Sequence, residues 1–143
     1  MLFRSRDKWQ VIEGLTDRLL ETRQIAPEHR DPVHQALVAR ERSMSTGMEH
    51  GVAIPHTSVE EVEHPAIALG IFPEGLDFQA IDGRPTYLII LLVNPANRTK
   101  DHIRTLAEIA RLLSHAELRQ DLVRSADAAQ ALEIIRAAEA VAT

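Results

Sequence analysis

Cysteine is absent from this chain of 143 residues, which excludes a disulfide framework and any thiolate metal site. The absence is compatible with a reducing compartment. Runs of lysine or arginine are also missing and the formal net charge is -5, so the chain carries no electrostatic footprint for a nucleic-acid backbone or an anionic membrane. No signal peptide can be read at the N-terminus, because Met1 to Lys8 is charged and no apolar stretch follows it. The longest apolar run, Tyr87 to Val93, falls far short of the roughly 20 residues a membrane-spanning helix needs. A soluble, cytoplasmic protein that does not insert into a membrane is expected. Repeats, linkers and low-complexity segments are missing, and a hydrophobic content of 45% suffices for one core, so residues 1–143 are expected to form a single domain.

Familiar catalytic patterns are missing too. Seven histidines invite a metal, yet their spacings match no zinc pattern and no pair shares a helix at i, i+4, so no metal is expected. Ser43, Ser45 and Ser58 lie near His56, but no G-x-S-x-G elbow surrounds any of them. The stretch Gly47 to Gly51 lacks the Gly-Lys-Ser/Thr ending of a nucleotide P-loop and precedes a strand instead of a helix, so ATP is not implied. His29, His34, His64 and His115 read as solvated surface groups.

What is present reads as alternating helices and strands. Trp9, Ile12, Leu15 and Leu19 recur at helical spacing behind Asp7 as a cap, which predicts a first helix ending near Thr22. Asp31-Pro32 predicts an N-cap followed by proline at the first helical position, opening a helix that reaches about Arg42. Val33, Ala36, Leu37 and Arg40 share one stripe of it, so Arg40 projects with the core-facing side chains. A short strand at Gly51 to Ile54, a polar stretch from Thr57 to Pro65, a strand from Ala66 to Phe72 and a turn at Pro73-Glu-Gly75 follow. A weaker strand from Leu76 to Ile81, a hairpin signal at Asp82-Gly83 and a central strand at Thr86 to Val93 complete the sheet. A helix from about Thr99 places His102 on a face with Leu106, Ile109 and Leu113, and helices near Ala116 to Arg124 and Asp127 to Ala140 close the chain.

Residues 40 to 56 are the centre of the reading. Gly47 and Gly51 bracket a polar turn and supply backbone freedom, while Pro55 holds Ile54 extended and is expected to stop the strand one residue before His56. A histidine is mostly neutral at neutral pH and carries a free lone pair, which suits a nucleophile toward phosphorus.

Arg40-Glu41, Ser45-Thr46-Gly47 and Gly51-Val52-Ala53-Ile54-Pro55-His56 closely resemble the active-site signature of the IIA domains of the phosphoenolpyruvate-dependent phosphotransferase system, in the fructose, mannitol and nitrogen-regulatory class. Phe78-Gln-Ala-Ile-Asp82, Leu88 to Val93 and Thr99-Lys-Asp-His102 resemble it as well. The resemblance implies an α/β fold with a mixed sheet of about five strands flanked by helices on both faces. It also implies a phosphorylated histidine at His56, a second active-site histidine at His102 and an arginine at Arg40 holding the phosphoryl group. Ser45, Thr46, Gly47, Glu49 and His50 are expected to line the binding turn, with Glu49 standing where the family commonly has glycine. No cofactor beyond the covalent phosphoryl group is implied. The expected partners are a histidine-phosphocarrier protein as donor and, as acceptor, either a IIB domain of a sugar permease or a regulated transporter or kinase. With no other phosphotransferase domain fused and a short leading segment, a free-standing subunit is expected.

Overall fold

The computed structural model describes residues 7–142, with side chains through Glu139. Among these residues five α-helices and four strands run in the order α1 (Lys8–Glu21), α2 (Arg30–Ser43), β1 (Val52–Ala53), β2 (His56–Val59), β3 (Ala66–Leu76), β4 (Thr86–Pro95), α3 (Thr99–Leu113), α4 (Ala116–Val123) and α5 (Ala128–Ala142). The chain divides into two compact units, one up to His102 and one from Ile103 on.

In the first unit, Asp7 caps α1 as expected. Its carboxylate accepts from the Gln10 N–H at 2.8 Å, and the Gln10 side chain returns to the Asp7 N–H. Val11, Ile12, Leu15 and Leu19 are buried, whereas Trp9 is exposed at the helix start, where the Arg42 guanidinium lies 5.6 Å from its ring centroid. The second helix starts earlier than predicted. A single 3-10 turn at Pro27–His29 runs straight into it, so Asp31 and Pro32 occupy its first turn and His29 takes the capping position without a side-chain bond. Asp31 instead accepts from Arg30 at 3.0 Å.

Strand β4 organises the sheet, with β1 and β2 parallel on one side and β3 antiparallel on the other. Ile89, Leu91 and Val93 point into a core shared with Val11, Leu15 and Leu19 of α1 and with Val33 and Leu37 of α2. Leu88, Ile90 and Leu92 project to the opposite face and are buried too, so the apolar run is a strand covered on both sides.

Three expectations about strands are corrected. His56 does not follow a finished strand: Val52 pairs with Leu88 and His56 with Leu92, so pairing crosses Ile54–Pro55 without a change of register. Pro55 has no N–H to offer, but its carbonyl accepts from Leu92 at 2.9 Å, which keeps the ladder in step. The polar stretch after His56 therefore begins as strand β2. Leu76 to Ile81 is not a separate strand, because β3 continues through Pro73-Glu-Gly75 as a bulge and re-pairs at Leu76 with Thr86, leaving four strands instead of about five. The turn around Asp82-Gly83 links β3 to β4 as a hairpin, as expected, with Gly83 at φ 70°.

In the second unit, α4 and α5 pack together, with Leu118, Leu122 and Ala131 buried. Asp127 lies just before α5 and accepts from the Gln130 N–H at 2.9 Å.

A buried ion pair ties α1 to the end of α2. Lys8 Nζ lies 3.0 Å from Glu41, with side chains 5% and 0% exposed, and it also donates to Gln79 at 2.9 Å and to Ser45 at 3.3 Å. The Glu41 carboxylate accepts from the Thr46 N–H at 2.8 Å and from the Thr46 hydroxyl at 2.5 Å. Replacing one member of such a pair strands the other. Glu41→Leu is expected to cost about 3–5 kcal/mol in urea unfolding, because it leaves the Lys8 ammonium and the Thr46 N–H without their partner. Adding Lys8→Met should recover part of that loss; a loss under 1 kcal/mol for Glu41→Leu alone would refute the assignment.

Candidate active site

Residues 44–54 fold back on themselves before reaching His56. Met48 N–H donates to Val52 O at 2.7 Å and Ile54 N–H to Thr46 O at 3.3 Å, around an antiparallel bridge between Gly47 and Ala53. The reversal is made by His50 and Gly51, at φ 67° and 75°. Glycine freedom is therefore needed at Gly51, whereas Gly47 is required for close approach: a Cβ there would come within 2.8 Å of Ala80 Cα and 2.9 Å of Phe78 O. Glu49, at the position where glycine is common, does not take a positive φ; the left-handed conformation falls on His50. Asp82 steadies that residue by accepting from its N–H at 3.3 Å. The Asp82 carboxyl titrates below its ordinary value, first because the Arg84 N–H donates to it and then through His50.

At the end of this turn the His56 ring is fixed by a bond of 2.7 Å between Nδ1 and the carbonyl of Ile54. A carbonyl oxygen only accepts, so Nδ1 carries the ring proton and Nε2 keeps its lone pair. His56 and Asn94 lie on one face of the sheet, since His56 pairs with Leu92 and Asn94 stands two residues further along β4. His102 meets them there. Its N–H bonds to Arg98 O at 3.0 Å in the first turn of α3, its ring centroid lies 5.4 Å from that of His56 at a tilt of 42°, and its Nδ1 contacts the Asn94 amide nitrogen. The His102 ring titrates below its ordinary value of 6.5, chiefly because burial penalises the charged form and secondarily through the charge of His56.

The other expected residues divide by what they touch. Arg40 is half-buried near the end of α2, where its guanidinium donates to Met44 O at 3.0 Å; among the described residues no hydrogen bond or ring contact joins it to His56 or His102. Ser45 donates to Phe78 O at 2.6 Å and accepts from the Gly47 N–H, while the N–H and the hydroxyl of Thr46 both donate to Glu41. Glu49 and His50 have exposed side chains 3.8 Å apart. Of the four histidines expected in solvent, His64 and His115 are exposed, but His29 and His34 are half-buried around the start of α2.

Residues 2–138 match the family described as "Phosphoenolpyruvate-dependent sugar phosphotransferase system, EIIA 2". The chain belongs to this family. It is 32% identical over 115 residues to the PTS system fructose-specific EIIA component of Haloferax volcanii, covering 80% of this chain and 73% of that protein. It is 35% identical over 125 residues to the nitrogen regulatory protein of Pseudomonas aeruginosa, covering 87% and 79%. The crystal structure of nitrogen regulatory protein IIA-Ntr from Neisseria meningitidis superposes with a TM-score of 0.82 at 30% identity, covering 92% of this chain and 88% of the other. The EIIA 2 family thus brings both sugar-specific and regulatory relatives to this chain. Its members are components of a phosphotransferase system, and no helix among the described residues is long and apolar enough to cross a membrane.

Sequence reasoning passed over three groups that shape this EIIA site. Lys8 read as part of a charged N-terminus, and only its position on the buried side of α1 marks it as the partner of Glu41. Asn94 closes the apolar run of β4, and a lone polar residue in that place is a signal for a buried polar contact. The Ile54 carbonyl has no sequence signature apart from Pro55 following it.

The His102 environment predicts a pH response. Because the folded chain resists protonating this ring, stability should be level above pH 6.5 and decline as pH falls from 6.5 toward the lowered folded value. By NMR titration the His102 midpoint is expected below 6.5, and to rise only part of the way in His56→Ala, since burial persists when the charge of His56 is removed. A wild-type midpoint at or above 6.5 would contradict this.

Proposed function

We propose that this chain is a phosphoryl carrier: His56 accepts a phosphoryl group from the phosphohistidine of a histidine-phosphocarrier protein and passes it to a IIB component serving uptake of a fructose- or mannitol-like sugar. The observation that carries the proposal is the bond from His56 Nδ1 to the Ile54 carbonyl, which leaves the Nε2 lone pair as the nucleophile. In the transfer, that lone pair forms the new N–P bond as the donor's N–P bond breaks, and the released electron pair returns to the donor ring. The Nδ1 proton stays on His56, facing Ile54 O. Phosphoryl transfer asks the protein mainly for positioning and for stabilisation of the equatorial oxygens, so it needs no metal here. His102 provides an N–H donor beside the phosphoryl group. Arg40, released from Met44 O, provides a guanidinium, each such charge-assisted bond contributing on the order of 1.5–3 kcal/mol.

The similarity to nitrogen regulatory proteins favours a second reading of the same chemistry, in which the phosphoryl group is a signal and the domain controls a transporter or kinase according to its phosphorylation state. Transfer from the labelled chain to a purified IIB domain supports transport, whereas binding to a transporter or kinase that changes with phosphorylation supports regulation.

Incubation with phosphoenolpyruvate, the general phosphotransferase enzyme and its carrier is expected to place an acid-labile, alkali-stable phosphoryl group on His56. His56→Ala should abolish it, and label on another histidine would overturn the reading. Arg40→Ala and His102→Ala should keep the fold but slow transfer about tenfold to a thousandfold if each removes a transition-state contact. Wild-type rates in both variants would remove these residues from the mechanism.

A further inference from the structure

Asn94 is anomalous where it stands. Strand β4 is apolar from Tyr87 to Val93, and the residue that follows is an amide only 1% exposed. Among the described residues its Oδ1 is buried without a hydrogen-bond partner, and its Nδ2 contacts His102 Nδ1. A buried polar atom left unpaired is costly, and its persistence beside a functional ring calls for a reason. The position is fixed from both sides: Asn94 is held in register with Ser58 of β2, two residues beyond the pairing of His56 with Leu92, and His102 is held by the first turn of α3.

With the nitrogen end of its amide turned to the ring, Asn94 has hydrogens to give and no lone pair to offer, so the His102 Nδ1 that faces it accepts. The ring proton then resides on Nε2, the edge of the ring turned away from Asn94. His56 is built the opposite way, with its proton on Nδ1 because a carbonyl faces it. The two rings, 5.4 Å apart, thus carry complementary tautomers: one presents a lone pair at Nε2 and the other an N–H. Left to itself, a neutral histidine exchanges between two tautomers, and only one of them can donate from Nε2.

We propose that Asn94 is a positioning residue that locks His102 in its Nε2–H tautomer, so that His102 donates a hydrogen bond to the phosphoryl group in flight instead of competing as a second nucleophile. The inference rests on the phosphocarrier reading above. A carbonyl or carboxylate in place of the amide nitrogen would draw the proton to Nδ1 and leave a lone pair on Nε2. That lone pair would repel phosphoryl oxygens.

The test separates the two ideas because tautomers are read without any phosphoryl donor. In the unphosphorylated protein at a pH where His102 is neutral, ring 15N NMR is expected to show His102 protonated at Nε2 and bare at Nδ1. A wild-type ring protonated at Nδ1 would overturn the proposal, whatever His56 does. Asn94→Val should yield a mixture of tautomers and slow transfer from the phosphorylated carrier about tenfold to a hundredfold. It should add nothing to the defect of His102→Ala in the double variant. Asn94→Asp, close in size, should move the proton to Nδ1 and slow transfer at least as much. A rate that falls while the tautomer stays at Nε2 in both variants would show a merely structural role and overturn the proposal, as would a changed tautomer with a wild-type rate. Should Asn94→Val fail to fold, the wild-type spectrum and Asn94→Asp still decide. Failure of wild-type labelling at His56 would sink the phosphocarrier reading and leave the tautomer measurement standing.

Discussion

The pairing of one edge segment, residues 52–59, with β4 in a single register is the constraint on which the site depends. A proline in the middle of that segment removes a donor, and the ladder survives because the carbonyl of Pro55 still accepts from Leu92. Were the register to slip by one residue, every side chain after Pro55 would change face, and His56 would turn into the core beside Leu91 and Val93. With the register held, His56 emerges on the face that also receives Asn94, and α3, entering directly after β4, delivers His102 to the same place.

Upstream, the turn that feeds this segment is held by a carboxylate with unusual duties. Glu41 is buried at the end of α2, neutralises Lys8 from α1 and accepts from the N–H and the hydroxyl of Thr46, so the start of α1 and the turn after α2 meet at one side chain. Its neighbour Arg40 lies one position away on the same helical turn. The buried ion pair therefore sets where the helix ends, and the helix end sets where the guanidinium can reach. A buried pair of this kind adds little net stability compared with an apolar substitute, although removing one member alone is costly.

Much of the fold was legible because its signals are periodic. The α1 cap at Asp7, the apolar stretch of β4 and the hairpin leading into it follow from spacing alone, and the signature around His56 pointed to the family that the chain belongs to. Misreadings occurred where local chemistry was overruled by pairing. Pro55 suggests an end, but the neighbouring strand carries the ladder past it. Pro73 and Gly75 suggest a turn, but β3 absorbs them as a bulge. Within the site, His56 and His102 were named from sequence, and the structure brings them together. The groups that set their protons, the Ile54 carbonyl and the Asn94 amide, were not legible, because a backbone carbonyl has no side-chain identity and one asparagine before a proline looks like any loop.

The carbonyl of Ile54 has a further consequence, for the chemical identity of the product. Phosphohistidine exists as two regioisomers, and free imidazole in water does not commit a phosphoryl donor to either nitrogen. Here one nitrogen is closed by the backbone itself, at a distance of 2.7 Å, and only the far nitrogen is open. In the proposed transfer the linkage formed is therefore the tele isomer alone. Because the blocking group belongs to the main chain, no side-chain substitution at Ile54 can exchange it for the other isomer.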